Sequence, residues 1–177
     1  MEGYTEELAK VVNLLREARL DASNGLPRQL FWLVSSLVPI PNVDLLITNE
    51  KGQLLLARRE DEFHPRCWHI PGGCMRFGET MLERVHKTAV AELGCDVQVE
   101  REPIAVRDAI RPPIIEREYP NERRHCISIL FKCHLSEEID NGNLTEKDNG
   151  FLKWFDRLPS DLVPIQHIYD DVLESWK

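Results

Sequence analysis

The chain has 177 residues, a formal net charge of −8 and 42% hydrophobic residues. That length suits one domain with a substantial core, and the composition excludes a disordered chain. The acidic balance argues against general nucleic-acid binding, so a phosphate-handling site here must gather positive charge locally or recruit a cation.

Glu6 to Leu20 has helical periodicity, with Leu8, Val11, Val12, Leu15 and Ala18 on one face. Asn24-Gly25-Leu26-Pro27 stops that helix and starts a second, running through Leu37. Val38-Pro39-Ile40-Pro41 reads as a linker, because proline disfavours helix at the residue before it. Residues 1–38 are thus expected to form a helical extension and residues 39–177 the main domain. Val43 to Thr48 and Gln53 to Arg58 read as strands around the turn Asn49-Glu50-Lys51-Gly52. Glu60 to Arg66 reads as a polar loop and Trp68 to Ile70 as a short strand entering the turn Pro71-Gly72-Gly73. Trp68 and Cys67 are expected in the core, and His69 in the strand that enters the site. A helix is expected from about Thr80 to Leu93. Asp96 to Ile110 and His125 to Leu135 follow as strands, with a long loop holding Pro112-Pro113 between them. Asp140 to Gly150 is a polar loop, Phe151 to Phe155 a late strand, and Gln166 to Trp176 a closing helix. Mixed strands around one central helix, with a helix at each end, fit an α/β sandwich.

Five cysteines, at 67, 74, 95, 126 and 133, are odd in number and scattered. Without a signal peptide they read as reduced thiols of a cytoplasmic protein, and the sequon Asn143-Leu144-Thr145 reads as a loop. The longest apolar run, near Phe31 to Val38, is too short to span a membrane. His64, Cys67, His69 and Cys74 are metal-ligand types, but their spacing is not a standard zinc pattern.

The central helix carries the chemistry. Thr80-Met81-Leu82-Glu83 is a capping box and Gly94 a natural stop. Leu82, Val85, Ala89 and Leu93 form one stripe, and Glu92 projects about 20° from Val85, at its edge. A carboxylate there is partly desolvated and needs a cation or hydrogen-bond donors. The stretch from Pro71 to Cys95 matches the skeleton of a Nudix box, G-x5-E-x7-R-E-U-x-E-E-x-G-U, with U aliphatic. Gly73, Glu79 and Gly94 keep their places. Lys87-Thr88 stands for Arg-Glu, and Ala91-Glu92 for Glu-Glu. Thr88 and Ala91 cannot ligate strongly, so one Mg²⁺ per subunit is the natural count.

On these residues Asp44 to about Phe155 resembles a Nudix domain, implying an α/β/α sandwich with a mixed β-sheet and a central Nudix helix. Lys87-Thr88-Ala89-Val90-Ala91-Glu92-Leu93-Gly94 is most similar to the GDP-mannose mannosyl hydrolase branch. Val43-Asp44-Leu45-Leu46 and Gly52 to Arg59 resemble it too. The resemblance implies a Mg²⁺-dependent hydrolase of a nucleoside diphosphate sugar, in which water displaces the diphosphate from C1 of the sugar. It implies Glu92, the Gly72 carbonyl and Asp148 as metal ligands. Arg59 would contact the diphosphate and Asp44 would support the base side. With Glu79 and Lys87 of the box these two make the expected catalytic set. Arg59, Arg107 and Arg124 make the expected substrate-binding set, drawn from the arginines at 107, 111, 117, 123 and 124 around the long loop. The branch pattern is broken at three places. Asn149 stands for a histidine general base, Cys74 for an arginine, and Lys87 for another arginine. Asp148 or Glu146 could act as base instead. A pyrophosphohydrolase attacking phosphorus and a non-catalytic nucleotide-binding or sugar-binding module are the competing readings. The expected partners are a small nucleotide sugar and a second copy, docked through the N-terminal helices, with no nucleic acid or membrane.

Overall fold

A computed structural model describes residues 5–62, 64–113 and 122–175. Helices α1 (Thr5–Glu17) and α2 (Arg28–Leu37) lead into β1 (Ile40–Ile47), β2 (Leu54–Asp61), β3 (His64–His69) and β4 (Gly72–Cys74). Then come α3 (Met81–Leu93), β5 (Val97–Val99), β6 (Ala105–Ile110), β7 (His125–Leu135), β8 (Leu152–Phe155) and α4, the single turn Asp170–Leu173.

Two sheets share the core. In one, β4 lies beside β1, β1 runs parallel to β7, and β5 and β6 pair with opposite ends of β7. In the other, β2 lies between β3 and β8, antiparallel to both. Alternation of side chains along β1 and β2 splits the apolar residues between two layers. Val43, Leu45, Ile47, Leu55 and Ala57 pack with Val85, Ala89 and Leu93 of α3. Leu46, Leu54 and Leu56 pack on the other side with Trp68, Ile70, Tyr169 and Leu173. The expected α/β/α sandwich with a mixed sheet is what the chain forms.

Besides β4, which makes Gly72–Cys74 a strand paired with β1 rather than part of a turn, four elements differ from the sequence reading. β1 begins at Ile40, inside the expected linker, because a proline is tolerated near a strand start and Met75 N–H donates to the Pro41 carbonyl at 2.9 Å. Glu60–Asp61 and His64–Arg66 are not loop but the ends of β2 and β3 at the hairpin tip, where Glu60, Asp61 and Arg66 are exposed and His64 is buried. Asp96 to Ile110 breaks into β5 and β6. The closing helix is mainly the 3-10 segment Pro164–Tyr169, and only Asp170–Leu173 is α-helical; Trp176 lies outside the described residues.

α1 buries none of its residues, so Leu8, Val11 and Leu14 stay exposed. No helix among the described residues is long and apolar enough to cross a membrane.

Candidate active site

The capping box forms as the sequence requires. Thr80 Oγ1 accepts from Glu83 N–H at 3.2 Å, and Glu83 accepts from Thr80 N–H at 2.7 Å. Gly94 closes the helix at φ 75°, a left-handed value that suits glycine. α3 is thereby held over β1 and β4, and Glu92 in its last turn reaches a polar cavity of about 370 Å³. Asp44, Arg59, Gly72, Arg111 and Arg123 line the same cavity.

Glu92 is partly exposed and its carboxylate has no hydrogen-bond partner among the described residues. Its nearest ionisable partner among the described residues is His69 Nε2, at 3.9 Å. Burial pushes the His69 imidazole down to about 3, so it is neutral and offers no positive charge. Burial raises the Glu92 pKa, and only Arg59 opposes that. A desolvated acid with so little support is where a cation gains most. Arg59 is itself fixed, since Asp61 accepts from its Nε at 2.7 Å. Asp61 also accepts from His64 N–H at 2.9 Å, so one carboxylate braces both residues.

β4 passes too close to its neighbours at Gly72 and Gly73 for side chains. A Cβ on Gly72 would collide with the Asp44 carboxylate and stand 2.8 Å from the Val43 carbonyl oxygen. One on Gly73 would meet Thr88 Oγ1 at 2.5 Å. Thr88 Oγ1 is buried and has no hydrogen-bond partner among the described residues. Glu92 and the Gly72 backbone line the same cavity and offer a carboxylate and a carbonyl oxygen. Such a set fits a hard ion such as Mg²⁺, which takes one or two carboxylates and keeps water and phosphate oxygens for the rest.

Asp44 forms the cavity floor. It is 4% exposed and accepts from Tyr169 Oη at 2.8 Å and Asn42 Nδ2 at 3.0 Å. Burial pushes its pKa up to about 6, with the Tyr169 hydrogen bond pulling the other way. Gln166, which the sequence reading did not single out, staples Ile70, the residue after β3. Its side chain accepts from Ile70 N–H at 2.8 Å and donates to the Ile70 carbonyl at 3.0 Å. Nothing in the local sequence marks it, because its partner is 96 positions away.

The structure brings Asp44, Arg59, Gly72 and Glu92 together but leaves the other expected site residues off this cavity. Glu79 accepts from Arg84, from Lys87 Nζ at 2.9 Å and from Arg76 N–H at 2.9 Å, so Glu79 and Lys87 serve the loop before α3. Asp148 accepts from Thr145 N–H at 2.7 Å, closing its own loop; its neighbours Asn149 and Gly150 line the cavity instead. The Asn149 side-chain oxygen accepts from Glu60 N–H at 3.0 Å, which fits a structural role. Glu146 accepts from Lys153 Nζ at 2.9 Å. Arg107 donates to Asp171 at 2.7 Å, and Arg124 Nε to the Arg111 carbonyl at 2.9 Å. From that arginine group Arg111 and Arg123 line the cavity, while Arg117 lies outside the described residues. Burial lowers the Arg111 pKa, and Arg123 and Arg59 add to the effect.

Comparison with known proteins places this arrangement in context. Over a 63-residue stretch the chain is 41% identical to the low-salt glycan biosynthesis protein Agl8 of Haloferax volcanii, covering 36% of this chain and 40% of that protein. It is 38% identical over 56 residues to an RNA pyrophosphohydrolase of a Marinomonas species, covering 32% of this chain and 33% of that one. The matches therefore span less than half the length of either relative. Among solved structures, a MutT Nudix hydrolase from Burkholderia pseudomallei superposes with a TM-score of 0.56 at 24% identity, over 74% of this chain and 95% of that one. The MutT protein of Methanosarcina mazei also gives 0.56, at 21% identity over 78% and 93%. These two share the fold. The NUDIX domain model matches residues 38–170, from the end of α2 to the start of α4. The chain therefore belongs to the Nudix hydrolase family.

Proposed function

We propose that the protein is a Mg²⁺-dependent hydrolase of a nucleoside diphosphate sugar, with water attacking C1 of the sugar and the nucleoside diphosphate departing. The observation that carries this reading is the single cavity-facing acid of α3. Glu92 reaches the cavity without a cationic contact, while Thr88 and Ala91 occupy the places where the usual box has further glutamates. Bound there, one Mg²⁺ would neutralise charge gathering on the departing diphosphate. Glu92 and the Gly72 carbonyl would hold it. Asp148 would have to exchange its Thr145 contacts to become a third ligand.

The protein's own residues account for the rest. Arg59, braced by Asp61, sets a guanidinium where diphosphate oxygens would lie. Asp44 and Asn42 supply polar groups at the cavity floor suited to sugar hydroxyls or to the attacking water. The glycan biosynthesis role in the name of the Haloferax relative accords with a sugar substrate. The name of the Marinomonas relative, RNA pyrophosphohydrolase, favours a second reading, attack at phosphorus in a nucleotide derivative. Hydrolysis of GDP-mannose with Mg²⁺ in ¹⁸O water separates the two. The expected result is label in the released mannose; label in a phosphate-bearing product would refute attack at carbon.

Arg111 supplies a further check on the anion site. Arg111→Ala is expected to raise KM about tenfold or more, the scale of one charge-assisted hydrogen bond, with a smaller change in kcat. Steady-state kinetics on the same substrate reads this directly, and an unchanged KM would remove Arg111 from the site.

A further inference from the structure

A second cavity, about 470 Å³, also borders β4 at Gly72 and Gly73. Its outer wall comes from outside the matched family domain: Leu26 before α2, and Phe31 and Val34 on α2. Met75 and Phe77 of the loop after β4 complete an apolar surface, and Phe77 is 78% exposed at its rim. Glu92 and Gly72 line both cavities, so the two meet at the proposed metal position. α2 is also tied to the first cavity. Arg123 N–H donates to the buried Ser35 Oγ at 2.9 Å, and the Arg123 guanidinium stands 5.9 Å from the centre of the Phe31 ring.

From this arrangement we propose that the α2 cavity is the base subsite. A nucleobase joined to the diphosphate would enter between Phe31 and the 75–77 loop, while the sugar occupies the polar cavity. The inference rests on the diphosphate reading above and extends it to the N-terminal helices. Two features select a nucleobase over a hydrocarbon chain, and the size of the cavity accommodates it. Phe31 and Phe77 both line the cavity, and aromatic side chains are stacking partners for bases. The buried Thr88 hydroxyl lines the cavity without a partner, and a heterocycle brings the nitrogen or oxygen it lacks. The volume falls in the range of small-molecule sites.

The test compares binding of GDP, ADP and UDP with that of inorganic pyrophosphate and geranyl pyrophosphate, by calorimetry with Mg²⁺. At least one nucleoside diphosphate is expected to bind about tenfold or more tighter than pyrophosphate. Val34→Trp, which fills the cavity, should abolish that advantage and leave pyrophosphate affinity unchanged. Phe31→Ala should reduce it in the same direction and covers the case in which the larger side chain impairs folding. Nucleoside diphosphates no tighter than pyrophosphate, or an advantage that survives both substitutions, would overturn the base subsite while leaving the diphosphate site standing. An advantage for geranyl pyrophosphate alone would overturn it in favour of an apolar chain. If pyrophosphate itself fails to bind, the diphosphate reading falls and this inference with it.

Discussion

Glu92→Gln is expected to lower turnover of the nucleotide-sugar substrate by two or more orders of magnitude, about 3 kcal/mol in the barrier. The amide preserves size and shape but removes the charge that would hold the ion. Most metal sites spread this dependence over several acids, and loss of one is then partly covered by the others. Here Thr88 and Ala91 leave α3 with no substitute facing the cavity. The same substitution should not destabilise the fold. Burial already disfavours the Glu92 carboxylate, and no described hydrogen bond is lost with it. Kinetics over a Mg²⁺ series and a thermal melt without metal separate these effects. Wild-type turnover in the mutant would overturn the metal assignment. A large drop in melting temperature would show that Glu92 acts through structure.

The parts of this molecule that were legible in its sequence are those set by neighbours along the chain. The capping box, Gly94 and the stripe Val85–Ala89–Leu93 fix α3 within one segment, so its ends and the reach of Glu92 could be read directly. The strand His125–Leu135 is found at the expected residues for the same reason: it is a long apolar run with clear ends. The full extent of the β2–β3 hairpin was hidden because its tip is mostly polar, with Glu60, Asp61 and Arg66 exposed though His64 is buried, which breaks the alternation that marks a strand. In the site, the arginines at 107, 111, 123 and 124 share a chemical character that sequence cannot rank. Their fates depend on distant partners, such as Asp171 for Arg107 and Ser35 for the Arg123 backbone. The tyrosine beneath Asp44 is 125 positions away and carries no local signal. The side wall given by α2 was unreadable for a similar reason, since periodicity shows that a helix has an apolar face but not what that face adjoins.

Glu79 shows how a motif residue can matter without lining the polar cavity. Its carboxylate is 5% exposed and is engaged by Arg84, which is 8% exposed, and by the more open Lys87. Glu79→Ala leaves the Arg84 guanidinium buried without its partner, so the expected loss is roughly 3–5 kcal/mol of unfolding free energy, measurable by urea titration. The same pair gives a pH signature. The Arg84 hydrogen bonds, with lesser help from Lys87 and the Arg76 N–H, hold Glu79 down to about 2, against about 4.5 for a free glutamate. A group whose folded pKa is depressed contributes its stability fully above the unfolded value and loses it as pH falls through the folded one. The Glu79 contribution is therefore whole above about pH 4.5 and disappears progressively toward pH 2. Wild type minus Glu79→Gln, followed by urea midpoints across that interval, should converge as the pH falls. Parallel curves would show that the stabilising partner of Arg84 is not the ionised Glu79. Because Arg84 also lines the α2 cavity, Glu79→Ala should weaken nucleoside diphosphate binding more than pyrophosphate binding, linking the loop's stability to the site it supports.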